Sequence, residues 1–184
     1  MIKENLKLIL EEMKGVLSKV DEEQVSELIS AILGSKRIVC VGAGRVGLAL
    51  KGFAMRLGHF GIEAYMLGDT TVPHIGEGDL LLACSGSGET QTVYDIIVIA
   101  KRNKAEVALV TGNPASRMGD LANVIVELKA PSKTKPLADI VSIQPMTTLN
   151  EQCLGIFFDA VVLQMMRQMD ETHDTMWARH SNLE

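Results

Sequence analysis

No apolar run in these 184 residues approaches the roughly 20 needed to span a bilayer. A membrane partner is therefore not expected. The first residues, Met1 to Glu12, mix acids and lysines among Ile and Leu, without the basic stretch and apolar run of an export signal. Aromatics are scarce, with one Trp, two Tyr and four Phe, and no basic stripe interleaves with them. Together with a net charge of −5, this disfavours a nucleic-acid partner. The three cysteines, Cys40, Cys84 and Cys153, lie far apart and form no CxxC pair. That excludes a disulfide framework and a zinc knuckle, and it fits reduced, buried thiols in a cytoplasmic protein. His59, His74, His173 and His180 show no HxxxH or HExxH spacing, so no metal site is indicated.

What is present suits one α/β domain over residues 1–184. Ile2, Leu6, Ile9, Leu10, Met13, Val16, Leu17 and Val20 recur at spacings of three and four, one face of a helix. Asp21 with Gln24 resembles a capping box for a second helix, which Gly34 ends. Residues 1–33 are thus N-terminal helices. Strand and helix patterns then alternate, with strands over 37–41, 62–67, 79–84, 107–111 and 124–128. Helices fall between them over 46–59 and 90–103, and a short one follows residue 114. Residues 129–144, with Pro131, Lys133, Lys135 and Pro136, read as a loop. Pro145 suits the first turn of a long helix through Met169. Short, wholly apolar strands between helices predict a five-stranded parallel sheet covered on both faces, doubly wound in the flavodoxin-like order. Ligands of such sheets bind beyond the carboxyl ends of the strands.

Three strands end in loops rich in Gly, Ser or Asn. In Ser85-Gly86-Ser87-Gly88-Glu89-Thr90 the glycines allow close backbone approach, and a helix start offers N–H groups to an anion. With its hydroxyls, this loop suits a phosphate monoester; the plainer reading is a tight turn capping the next helix. Gly42-Ala43-Gly44-Arg45-Val46-Gly47 matches GxGxxG, the dinucleotide fingerprint. Glu63 and Asp69 fit the ribose acid of that fingerprint poorly, and a dehydrogenase needs a second domain for its substrate. The same glycines open space for a sugar, with Arg45 aimed at phosphate or hydroxyls, or simply exposed. Glu151, near the start of the last helix, is a surface acid or a carboxylate held in a site, where the helix dipole favours it. His59 ends a helix. His180 lies in the 170–184 tail with the only Trp, Trp177, which suggests that the tail docks. The ten methionines suit core or subunit contact.

Several of these segments together resemble the sugar-isomerase (SIS) domain proteins, most closely the 6-phospho-3-hexuloisomerases. They are Gly42-Ala43-Gly44-Arg45, Phe53-Ala54-Met55-Arg56-Leu57 with His59, Gly78-Asp79, the Ser85–Thr90 loop, Ile143-Gln144-Pro145-Met146 with Glu151-Gln152, and His180 with Asn182-Leu183-Glu184. The resemblance implies a homotetramer with sites near subunit contacts, and conversion of D-arabino-3-hexulose 6-phosphate to fructose 6-phosphate in formaldehyde fixation by the ribulose monophosphate pathway. Gly44, Arg45, Val46, Ser85, Gly86, Ser87, Gly88, Glu89 and Thr90 would bind the substrate. Val46 departs from the family's pattern, which often has Ser there, and so removes a hydroxyl from the sugar end. Moving a carbonyl from carbon 3 to carbon 2 passes through an enediol, and one carboxylate serves both proton transfers; Glu151 is the expected base. His59 or His180 would move the proton between the two oxygens. No metal or other cofactor is implied. Two competing expectations are an aldose–ketose phosphate isomerase and a non-catalytic sugar-phosphate-binding module. Glu151, and the lack of a DNA-binding segment, weigh against the second.

Overall fold

In the computed structural model, which describes residues 1–132 and 142–183, five apolar runs become five parallel strands. These are β1 (Ile38–Gly42), β2 (Ala64–Met66), β3 (Leu80–Ser85), β4 (Glu106–Thr111) and β5 (Val124–Glu127). Their order, β2-β1-β3-β4-β5, is the flavodoxin-like one expected. Helices α1 (Ile2–Leu17), α2 (Glu22–Gly34), α3 (Gly44–His59), α4 (Gln91–Arg102), α5 (Thr148–Gln168) and α6 (His173–Trp177) accompany them, and the short helix expected after residue 114 is a single 3-10 turn, Gly119–Leu121. Of the loop expected over 129–144, Lys133, Lys135 and Pro136 lie outside the described residues, as does Glu184.

The period-two geometry of a strand divides the core into two layers. Ile38, Cys40, Leu80, Leu82 and Val110 face one side and pack against α2, α3 and α5, where Phe53 and Phe158 stack at 4.2 Å between ring centroids. Val39, Val41, Leu81, Val107 and Leu109 face the other and meet Val93, Ile97 and Ala100 of α4. The cysteines are free and buried as expected. Burial pushes the thiols of Cys40 and Cys153 up to about 12.

Two local expectations need correction. Asp21 does cap α2, accepting from the N–H groups of Glu23 and Gln24 at 2.9 and 3.2 Å. Gln24, however, does not reach back; its Oε1 accepts from Glu127 N at 2.9 Å and ties α2 to β5. Helix α5, the long helix expected from Pro145, begins at Thr148 instead, because Met146 takes φ +58, outside helical space.

The register positions the site. Gly42 pairs with Cys84, and Ser85 with Thr111, so the loops after β1, β3 and β4 leave the sheet at one level. α3 leaves β1 on one face and α4 leaves β3 on the other. The crevice between them is the switch point of this topology.

Candidate active site

A cleft of about 440 Å³ opens at that switch point, within the range of small-molecule sites. It is lined by Gly44, Arg45 and Val46, by Ser85, Gly86, Ser87 and Thr90, and by Met146, Thr147, Thr148, Asn150 and Glu151. Three helices, α3, α4 and α5, start here. Their capping residues Ala43, Thr90 and Thr147 make no side-chain cap hydrogen bond. First-turn N–H groups lack intrahelical partners and carry the positive end of the helix dipole, so three such ends converge where an anion would sit.

The GxGxxG segment works by close approach. A Cβ on Gly47 would lie 2.5 Å from the carbonyl oxygen of Gly42, so helix α3 can seat against β1 only with glycine there. Gly44 takes φ +59 and faces open space. The motif thus has a packing reason that needs no dinucleotide.

The Ser85–Thr90 loop is internally braced. Ser85 is buried; its Oγ accepts from Gly88 N at 3.2 Å and lies 3.1 Å from Thr90 Oγ1. Ser87 Oγ accepts from Glu89 N at 3.2 Å, and Asn113 Nδ2 donates to Ser87 O at 3.2 Å. Glu89 turns away from the cleft. Its carboxylate lies 3.0 Å from Arg117 Nε and accepts from Arg117 N at 3.1 Å. It therefore fastens the loop to the segment after β4 rather than facing a ligand, and Gly88, packed against Ser116, does not line the cleft either.

Glu151 stands on the first turn of α5. Its Oε1 accepts from Thr147 Oγ1 at 2.9 Å, and its Oε2 lies 3.2 Å from Arg45 Nε. Arg45 Nη1 also donates to Thr148 Oγ1 at 3.3 Å. The carboxylate side chain is 14% exposed, against 58% for Arg45, so a ligand meets the guanidinium first and the carboxylate beneath it.

The histidines lie elsewhere in this chain. His59 ends α3, and 14 residues from Arg45 at 1.5 Å each put it about 21 Å along the helix. His59 is buried, and Arg56 Nη1 sits 3.2 Å from its Nδ1. A guanidinium only donates, so Nδ1 is the acceptor in this contact. His180 Nδ1 lies 3.0 Å from Ser181 O, a carbonyl that only accepts, so its proton is on Nδ1. The two rings are 5.2 Å apart, and Trp177 stacks on His180 at 4.9 Å. They line a second cleft of about 260 Å³ with Arg56 and His173. Arg179 Nη1 donates to His59 O at 3.0 Å, at the end of α3 far from Arg45.

The SIS domain family matches residues 31–155 of the chain. The chain belongs to the SIS-domain family. A 3-hexulose-6-phosphate isomerase of Bacillus subtilis is 39% identical, over 96% of this chain and 95% of that protein. One of Mycobacterium gastri is 40% identical, over 100% and 92%. A solved structure of a hypothetical protein from Methanococcus jannaschii, from which a function as 3-hexulose-6-phosphate isomerase was inferred, superposes with a TM-score of 0.79. It is 28% identical, over 98% of this chain and 99% of that one. This SIS domain adds to its cleft Thr147, Thr148 and Asn150, which sequence reasoning did not single out, and Met146, noted there only as part of the Gln144-Pro145-Met146 element. Their signal was position: all flank Glu151 at a helix start. Among the described residues no cluster of three or more His, Cys, Asp or Glu could hold a metal, and no helix is long and apolar enough to cross a membrane.

Proposed function

We propose that this SIS protein is a ketose-phosphate isomerase that converts D-arabino-3-hexulose 6-phosphate to D-fructose 6-phosphate, as the second step of formaldehyde fixation in the ribulose monophosphate pathway. The observation that carries the reading is that Glu151 shares one cleft with the Ser85–Thr90 loop, in a chain 39–40% identical to proteins named 3-hexulose-6-phosphate isomerase. The phosphate rests on the Ser85–Thr90 loop and the first turn of α4. Carbons 2 and 3 then lie toward Glu151. The carboxylate takes the proton from carbon 2, giving an enediol, and returns one to carbon 3. Oxygen 3 gains a proton and oxygen 2 loses one, so the product is an isomer and no redox partner is needed. The substrate's O6 is phosphorylated and its O5 would close a four-membered ring, so it presents an open chain. Ring opening therefore needs no residue.

His59 and His180 act on the oxygens in a neighbouring subunit's cleft, because within one chain they sit at the wrong end of α3. Exposed Leu48, Met55, Ile156 and Leu163, on the adjacent helices α3 and α5, support a homotetramer that would bring such clefts together. The protein acts in the cytoplasm. The test is a coupled assay for fructose 6-phosphate, with light scattering alongside. Wild type should turn over; Glu151→Gln and His59→Asn should not. Co-refolding the two variants should restore part of the rate. Absence of wild-type turnover refutes the reaction, and absence of complementation refutes the shared site.

A further inference from the structure

Met146 and Thr147 line the Glu151 cleft, and a side chain from outside the cleft grips the segment that leads into them. Glu12 of α1 is half-buried. Its carboxylate accepts three hydrogen bonds from consecutive residues: Ser142 Oγ at 2.7 Å, Ile143 N at 2.8 Å and Gln144 Nε2 at 2.9 Å. Ser142 Oγ in turn accepts from Gln144 N at 3.1 Å and closes the set. Burial pushes the Glu12 carboxyl up, but the bonds from Gln144, Ile143 and Ser142 outweigh it and hold it below the ordinary carboxylate value. The base of the clamp is firm, because Val16 and Met13 of α1 pack with Leu149 and Cys153 of α5.

Immediately beyond the gripped residues the backbone is strained. Met146 takes φ +58, a region that L side chains resist, and it lines the cleft. Such a conformation persists only where both flanks are fixed. On the far flank, Pro145 O accepts from Thr148 N at 3.2 Å and from Thr148 Oγ1 at 2.7 Å. On the near flank stands the Glu12 clamp. Thr147, between them, donates its hydroxyl to Glu151.

We infer that Glu12 is a positioning residue, which by clamping residues 142–144 holds the Met146 turn and Thr147 where they aim the Glu151 carboxylate into the cleft. Glu12 touches no substrate and acts through the segment alone. The inference rests on Glu151 being the base, as proposed above. It also explains why an acid on the N-terminal helix is tied to the Gln144-Pro145-Met146 element.

Two variants and two readouts test it. A misaimed base costs rate more than binding, so Glu12→Ala should lower kcat about tenfold or more, with KM and the inhibition constant of inorganic phosphate held within about twofold. Glu12→Gln should fall between, since its amide oxygen still accepts from Ile143 N–H. Independently of activity, hydrogen exchange in Glu12→Ala should speed at the amides of Ile143, Gln144, Thr148 and Glu151 and stay unchanged in β3 and β4. Folded Glu12→Ala with kcat within about twofold of wild type would overturn the inference. So would unchanged exchange over 143–151, or an equal rise along the whole chain, which would mark a merely structural role. If wild type itself made no fructose 6-phosphate, the proposed reaction would fall, and the exchange pattern alone would decide the clamp.

Discussion

Gly88→Ala offers the sharpest test of how the Ser85–Thr90 loop is built. Gly88 takes φ +68, and a Cβ there would stand 2.1 Å from Ser116 Oγ, 2.5 Å from Ser116 Cβ and 3.0 Å from Asn113 O. Alanine meets two separate costs. Left-handed backbone costs an L residue about 1–2 kcal/mol. The overlap cannot be relieved by rotating Ser116, because its Cβ is also in the way and the residue is buried. The loop after β4 must move, and overpacking of this kind costs about 1–3 kcal/mol. A total near 3 kcal/mol lowers Tm by about 6–12 °C in a chain of this size. Gly88 N also donates to Ser85 Oγ, so displacing it loosens the loop, and inhibition by inorganic phosphate should weaken. Gly44→Ala is the control. Gly44 shares the positive φ, at +59, but nothing lies within 4 Å of its added Cβ, so only the backbone cost of about 1–2 kcal/mol applies. Thermal unfolding by circular dichroism and phosphate inhibition measure both. A Gly88→Ala protein with wild-type Tm and phosphate affinity would refute the reasoning, as would a Gly44→Ala protein that loses as much.

Glu151→Gln keeps its shape and loses its basicity; kcat should fall by about a hundredfold or more with KM little changed, read by steady-state kinetics on the hexulose phosphate. Ser87→Ala removes a hydroxyl that lines the cleft and braces Glu89 N, and KM should rise about tenfold, the scale of one hydrogen bond to a charged group. Glu171 is held below its ordinary value of 4.5 first by its hydrogen bond from Arg179 and then by Thr175. A depressed acid stabilises the fold above its ordinary value and loses that contribution as the pH falls through the lowered one. The Tm advantage of wild type over Glu171→Gln should therefore be full at neutral pH and shrink below pH 4.5; a difference that persists in stronger acid would exclude the linkage.

The strands and their order were legible because their signal is local. Val39, Val41, Leu81 and Leu109 are β-branched or aliphatic residues in runs too short for helices, and alternation with helices leaves few topologies. Boundaries slipped where one backbone angle decided them. Helix α3 starts at Gly44, not Val46, because glycine at φ +59 turns straight into it. Helix α5 starts three residues late because Met146 takes a conformation that its composition does not announce. Side-chain direction was the harder matter. Serine and threonine hydroxyls in a glycine-rich loop read as ligand donors, and the resemblance added Glu89, yet Ser85 braces the turn and Glu89 faces Arg117. The partner of Glu89 depends on Arg117, which the segment after β4 brings in and which spacing within the loop does not show.

The same limit shaped the expectation for the histidines. The sequence places Arg45 and His59 at opposite ends of one helical run, and helix geometry alone puts about 21 Å between them. The fold keeps that distance, because α3 runs the length of β1 and stacks Phe53 on Phe158 of α5, so no bend brings the ends together. A helix of this kind acts as a ruler. It holds Glu151 and Arg45 at the carboxyl end of the sheet, and His59, with the Trp177–His180 tail clipped to it by Arg179, at the other. For carboxylate and imidazole to serve one substrate, the two ends must belong to different copies. The catalytic use of these histidines and the oligomeric state therefore stand or fall together. A monomer that turned over at the wild-type rate would remove His59 and His180 from the mechanism while leaving the Glu151 cleft intact.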